Sequence, residues 1–187
     1  MAGGDVTYRA LAPQDLERLA DIDRSERIGV LYVQRGAQLE ERTGDFSASA
    51  WATDRAGEHS VAVQRAECER YLAAGGSGVA AVAGERLVGI GIVKPHLRPG
   101  IAQLAYLHVS EGFRGRGIGR RLSDELEALA RAAGDTEIVV SATPSQNTVR
   151  FYLGRGYEPM EEPLPELFEL EPEDVHLLKP LRRGATG

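Results

Sequence analysis

The sequence predicts a mixed α+β or α/β fold built on a sheet. Three observations predict it. Apolar runs separated by short glycine turns crowd the middle of the chain. A long amphipathic helix follows a glycine- and arginine-rich turn, and further strands alternate with helices after it. With 187 residues, 42% of them hydrophobic and 27% charged, a single domain over 1–187 can bury roughly two-thirds of its unfolded surface.

Residues 6–11 alternate loosely and give way to Pro13, which reads as an opening strand. Pro13 suits a helix's first turn, acids follow it, and Leu16, Leu19 and Ile22 recur on one face, so a helix is expected there. Residues 24–59 give no clear pattern, because Gly36, Gly44 and Gly57 interrupt short runs. A serine cap at Ser60 and a stop at Gly75-Gly76 bound a helix over 60–74. Residues 78–83 and 87–93 are apolar runs joined by Gly84-Glu85-Arg86, a hairpin signal. Residues 95–100 read as a loop and 101–109 as a third strand. After the turn at 112–119, Ile118, Leu122, Leu126 and Leu129 form the stripe of the clearest helix, which Gly134 stops. A strand over 136–143, a short helix over 145–154, an acidic connection over 158–174 and a last strand over 175–181 complete the order.

The formal net charge of −6 does not suit a protein that coats nucleic acid, since phosphates ask for a basic face. It suits a cationic or amine-bearing partner. Cys68 is the only cysteine, which excludes an intrachain disulfide and a cysteine metal cluster, and no metal is expected. No apolar run approaches the roughly 20 residues of a membrane span. Residues 1–5 lack the basic-then-apolar order of a signal peptide, so a cytoplasmic protein is expected.

Chemistry concentrates where the apolar strand 104–109 runs into Arg114-Gly115-Arg116-Gly117-Ile118-Gly119-Arg120-Arg121 and then a helix. Glycines let the backbone turn tightly and approach a ligand. The helix start offers unpaired N–H groups and a dipole that favours an anion. Arginines there oppose the dipole, at about 0.3–1 kcal/mol each when exposed. Their accumulation points to a bound anion, and a pyrophosphate fits. The glycine spacing is not that of the Rossmann fingerprint, and no Gly-Lys-Ser/Thr of a Walker loop follows.

Residues 107–119 (Leu-His-Val-Ser-Glu-Gly-Phe-Arg-Gly-Arg-Gly-Ile-Gly) resemble the acetyl-CoA motif of the GNAT superfamily of acetyltransferases. A second motif, Asn147, Phe151-Tyr152 and Gly156-Tyr157, is similar to the family's N…FY…GF and stands in its order and at its distance. The likeness covers nearly the whole chain outside 24–59. It implies the GNAT fold, a twisted, mostly antiparallel mixed sheet flanked by helices on both faces, and an acetyl-CoA-dependent N-acetyltransferase, in which a primary amine of a small molecule attacks directly, without metal. A non-catalytic acyl-CoA-binding module and an enzyme for protein lysines or N-termini are the alternatives.

The resemblance further implies that the backbone of Leu107 and Val109 pairs with the pantetheine arm, and that Arg114, Gly115, Arg116, Gly117, Ile118, Gly119 and Arg120 hold the pyrophosphate. Tyr152 would protonate the leaving thiolate. Two positions depart from the family's pattern. Many relatives place an asparagine seven residues before this tyrosine; here Ser145 stands there, and Asn147 stands five before, so either can hold the cofactor arm. Many carry a glutamate base where this chain has Gln103, and a neutral amide takes no proton. His108 is a candidate base by its intrinsic pKa, although strict alternation turns it to the opposite face from Val109 and Gln103. His96 and the acids of 21–41 are the others. Acceptor selection would fall to Gln103, Tyr32 and Trp51, with the acids of 21–41 and 158–174 as a funnel for a cationic amine. Cys68 reads as core. A monomer or homodimer is expected.

Overall fold

The computed structural model describes residues 5–53, 57 and 59–181, so most of the N-terminal segment read against a signal peptide lies outside the described residues. In chain order the elements are β1 (Val6–Ala10), a 3-10 segment (Pro13–Asp21), β2 (Glu26–Arg35), β3 (Gln38–Ala48), α1 (Val61–Ala73), β4 (Ser77–Ala83), β5 (Arg86–Arg98) and β6 (Ile101–Val109). A 3-10 turn (Glu111–Phe113) leads to α2 (Ile118–Ala133), followed by β7 (Glu137–Ala142), α3 (Gln146–Leu153), β8 (Glu158–Pro159), α4 (Pro165–Phe168) and β9 (Val175–Pro180). Seven strands form one sheet in the order β1-β4-β5-β6-β7-β9-β8, and β2-β3 form a separate hairpin. Every pairing in the main sheet is antiparallel except β6 with β7.

The core lies on both faces of this sheet. On one face α2 buries Ile118, Leu122, Leu126 and Ala130 against Val79, Ala81, Val88 and Leu104. On the other, the 3-10 segment and α1 bury Leu16, Leu19, Ile22, Cys68 and Tyr71 against Ile90, Ile92 and Tyr106. Two glycines set how close α2 comes. A Cβ at Gly91 would stand 2.7 Å from Leu126 Cδ1, and one at Gly89 would stand 3.1 Å from Leu122 Cδ1. Contact between carbons is comfortable at about 3.5–4.0 Å, so bulk at either site would force the buried Leu126 or Leu122 side chain to shift.

One expectation is refined, one unread stretch is filled and two expectations are corrected. The helix expected after Pro13 is present and is 3-10. Its buried residues Leu16, Leu19 and Ile22 are spaced by three, the repeat of a 3-10 turn, and the Asp15 carboxylate accepts the Ala12 N–H at 2.8 Å while pairing with Arg9. Residues 24–59 contain the long hairpin β2-β3, which turns at Gly36 (φ 57°). β3 is solvated along most of its length, so its side chains carry no alternation. Residues 95–100 are largely strand: β5 continues to Arg98 through a register shift, with Pro95 where no ladder N–H is needed. The acidic connection holds β8 and α4, docked through Val139, Leu164 and Leu167 and through a bidentate Arg98–Glu166 pair at 2.6 and 2.7 Å.

Candidate active site

β6 and β7 are parallel neighbours, yet they pair only over Ile101–Gln103 with Glu137–Val139. Beyond that point the two strands separate. The rest of β6 pairs with β5 alone, so its other backbone edge, from Leu104 to Val109, faces an opening in the sheet. An unpaired strand edge is a template for another extended chain. Leu107 and Val109 lie on this edge and pack toward α2.

β6 also carries a bulge. Ile92 opposes Tyr106 and Val93 opposes Leu104, leaving Ala105 unmatched. Strict alternation is therefore broken. Ala102, Leu104, Leu107 and Val109 share the α2 face, whereas Tyr106 faces α1. Gln103, between Ala102 and Leu104, lies on the same face of the sheet as His108 and not with Val109, which corrects the sequence expectation.

The opening ends at the glycine turn. Gly115 and Gly117 adopt φ 76° and 80°, in the left-handed region, and Gly117 is the N-cap of α2. The first return bond of the helix is Arg121 N–H to Gly117 O at 3.0 Å. Among the described residues the N–H groups from Gly115 to Arg120 find no backbone or side-chain acceptor, so a row of donors converges at the helix's positive end. The arginines divide their work. Arg114 is engaged in holding the backbone, donating to Val109 O, Ser25 O and Arg24 O at 3.0–3.2 Å. Arg121 pairs with Glu125 at 2.7 Å. Arg116 lies over the Phe113 ring at 5.0 Å, and Arg120 makes no ion pair among the described residues.

α3 borders the opening from the β7 side. Ser145 is its N-cap, buried, with its hydroxyl bonded to Thr148 Oγ1 and N–H at 3.0 and 3.4 Å. Asn147 is exposed and donates to Glu26 at 2.8 Å, and Glu26 lies 3.9 Å from Arg114. Of the two candidates for the cofactor arm, Asn147 therefore presents a polar group at the rim. Tyr152 is 4% exposed, with ring edges against Phe151 and Tyr157 at 5.0 and 5.2 Å. Its hydroxyl has no hydrogen-bond partner among the described residues. Burial raises its pKa, opposed by Arg155 and reinforced by Asp174, so the phenol is protonated at any working pH.

His108 packs between Trp51, edge to face, and the tilted ring of Tyr106, at centroid distances of 5.1 and 4.7 Å. Burial, with the cations of Arg24 and Arg114, pushes its imidazole down to about 3. The ring is neutral at pH 7 but a feeble proton acceptor, which argues against it as base. Trp51, with Arg24 at 4.8 Å over its ring, belongs to this cluster. Gln103 is buried where β6 and β7 still pair. His96 is far along β5, bonded through Nδ1 to Asp135 at 2.9 Å.

Tyr32 has a different setting. β2 passes beside the start of α3, with Tyr32 N–H donating to Pro144 O at 2.8 Å. Its hydroxyl donates to Glu41 at 3.0 Å. Between β2 and the segment before β9 lies a cavity of about 260 Å³ whose walls include Tyr32, Gln34, Phe168, Glu173, Asp174 and His176. Gln34 pins its floor, accepting His176 N–H at 2.7 Å and donating to Met160 O at 2.8 Å. Composition pointed to the acidic segment as a whole; only the docking of β2 shows that Glu173 and Asp174 reach a cavity while Glu161 and Glu166 brace the fold.

Residues 40–157 match the family model described as acetyltransferase (GNAT) family. The chain belongs to the GNAT family. It is an acetyl-CoA-dependent N-acetyltransferase. Several solved structures share its fold. Nourseothricin acetyltransferase superposes with a TM-score of 0.70 at 16% identity, over 95% of this chain and 99% of that one. A putative streptothricin acetyltransferase from Bacillus anthracis, in complex with acetyl coenzyme A, gives 0.66 at 14% identity over 93% and 96%. The PaiA N-acetyltransferase of Thermoplasma acidophilum, with coenzyme A, gives 0.59 at 17% over 94% and 99%. No curated protein matches the sequence. In this GNAT chain the donor row at residues 115–120 suits a pyrophosphate, and the open edge of β6 suits the amides of a pantetheine arm. No helix among the described residues is long and apolar enough to cross a membrane.

Proposed function

We propose that this acetyltransferase acetylates a primary amine of a small cationic molecule seated between β2 and the segment before β9. The observation that carries the reading is that cavity, where two carboxylates, Glu173 and Asp174, line a small open cleft with Tyr32 and Gln34. A second ammonium group would be held by one carboxylate while the other faces the reacting amine. Names among the structural neighbours agree: a nourseothricin acetyltransferase, a putative streptothricin acetyltransferase and an aminoglycoside 6'-N-acetyltransferase.

Acetyl-CoA supplies an activated acetyl thioester. The N–H groups from Gly115 to Arg120, with Arg116 and Arg120 beside them, offset the charge of the pyrophosphate. Leu107 and Val109 offer backbone groups to the arm, and Asn147 closes it from the α3 side. Asp174 takes the proton of the incoming ammonium, which leaves a neutral amine able to attack. Its negative charge acts on Tyr152, which supports reading the two as partners in the reaction. Tyr152 would donate its phenolic proton to the sulfur as the C–S bond breaks, and the second proton shed by the attacking nitrogen would restore the phenol.

The test is release of free CoA with a panel of lysine, spermidine, a streptothricin, an aminoglycoside and peptides with free N-termini. Turnover is expected with the small polycations. Asp174→Asn should cut kcat/KM for them at least about tenfold and leave CoA affinity unchanged. Turnover confined to the peptides, or an Asp174→Asn variant as active as the parent, would overturn the assignment.

A further inference from the structure

Tyr152 does not stand alone in its pocket. Behind it the structure buries a carboxylate on the cofactor helix that the reaction does not use. Glu127 of α2 is 4% exposed, among apolar neighbours where a lone charge would be expensive. It accepts from Lys179 Nζ at 2.7 Å, from Arg155 at 3.0 Å, from Ser123 Oγ at 3.3 Å and from the Tyr157 hydroxyl at 3.4 Å. Arg131 lies 3.9 Å away. Arg155 in turn grips Asp124 at 2.6 Å and Ser123 at 2.9 Å. The groups come from α2, from the turn after α3 and from β9, the elements that surround Tyr152.

The network reaches the acid through rings. Lys179 Nζ lies 5.4 Å over the Tyr157 ring, and Arg155 lies 5.8 Å over Phe151. Tyr157 and Phe151 are the two rings that meet Tyr152 edge-on. With no hydrogen bond to its own hydroxyl among the described residues, Tyr152 is oriented by core packing in which these two rings are its aromatic contacts. The rings are fixed by cations that Glu127 holds. We infer that Glu127 is a positioning residue for the reaction: through Lys179–Tyr157 and Arg155–Phe151 it locks the Tyr152 ring and ties it to the helix that carries the pyrophosphate turn. The inference rests on the reading of Tyr152 as acid.

The charged groups facing Tyr152 are Arg155 from the turn after α3, Asp174 from the segment before β9, and Glu127 behind them with Lys179 of β9. Removing Glu127 alone leaves the half-buried Lys179 without its carboxylate while Arg155 keeps Asp124, so Glu127→Gln is compared with Glu127→Gln/Lys179→Gln, in which the charge is restored to balance. In protein carrying 3-fluorotyrosine, the Tyr152 fluorine resonance, assigned with Tyr152→Phe, should be a single narrow line that moves when acetyl-CoA is added. Both variants should broaden or split it while circular dichroism and CoA affinity stay as in the parent. Where the panel above gives an acceptor, Glu127→Gln should lower kcat about tenfold at unchanged KM for acetyl-CoA, and add nothing in a Tyr152→Phe background. A Tyr152 line unchanged in both variants, with and without acetyl-CoA, overturns the inference. A full additional loss of kcat in the Tyr152→Phe background does so as well. If instead the parent's Tyr152 line ignores acetyl-CoA, the acid assignment fails, a separate outcome.

Discussion

Gly117 caps α2 from the left-handed region, at φ 80°, and a Cβ placed there would meet nothing within 4 Å. Steric fit is therefore no obstacle to a side chain, and the cost of Gly117→Ala is the backbone conformation itself, about 1–2 kcal/mol. For a protein of this length that corresponds to a drop of roughly 2–8 °C in melting temperature. Gly117→Asp pays a similar conformational cost and adds a negative charge beside the donor row at residues 115–120. Two unit charges about 8 Å apart repel by about 2 kcal/mol at an effective dielectric constant of 20, and salt at physiological strength reduces this by about half. CoA should therefore bind the aspartate variant roughly five- to tenfold more weakly than the alanine variant. Calorimetry with CoA and thermal melts of both apo variants supply the two numbers. Equal CoA affinity in the two variants would refute the placement of an anion at this turn. An undiminished melting temperature in Gly117→Ala would refute the strain argument.

Three other expectations follow from the geometry. Tyr152→Phe removes a hydroxyl without a protein partner among the described residues while keeping the ring contacts, so the melting temperature should stay within about 2 °C. Its kcat should fall on the order of 10²-fold, and steady-state kinetics equal to the parent would move the acid elsewhere. His108 is held neutral down to about 3 in the folded protein, whereas the unfolded chain takes up its proton near pH 6.5. Its contribution is thus complete above that pH and is lost as pH falls. Denaturant titrations between pH 6.5 and 4 should show the parent losing about 1.4 kcal/mol per unit more than His108→Phe; parallel curves would contradict the burial argument. Gly91→Ala forces a Cβ to 2.7 Å from Leu126 Cδ1 and should cost about 1–3 kcal/mol, with Gly89→Ala milder. A melt showing Gly91→Ala as stable as the parent would mean that α2 does not rest on these glycines.

Local signals made much of this chain legible. The stripe Ile118, Leu122, Leu126 and Leu129 is a helix face because one helix must bury one side; the first three are buried and Leu129 is partly buried. Ser60 and Ser145 are N-caps, as short-range chemistry requires. The glycine turn was readable because a left-handed cap needs glycine whatever surrounds it. Residues 24–59 were not readable, since β3 is solvated along most of its length and its register with β2 is a property of pairing rather than of pattern.

By itself the sequence determined the family, the helix that follows the glycine turn, and the residue types at its N-terminus, because those depend on neighbours within a few positions. Tertiary structure alone decided which face Gln103 presents, since a single unmatched residue, Ala105, turns the strand over between Leu104 and Tyr106. It also decided that Arg114 holds backbone carbonyls, that Glu173 and Asp174 share a cavity with Tyr32, and that Glu127 gathers Arg155 and Lys179. Each of these joins residues from segments distant in the chain. The energy of such a contact depends on distance and burial, and neither is written in local sequence.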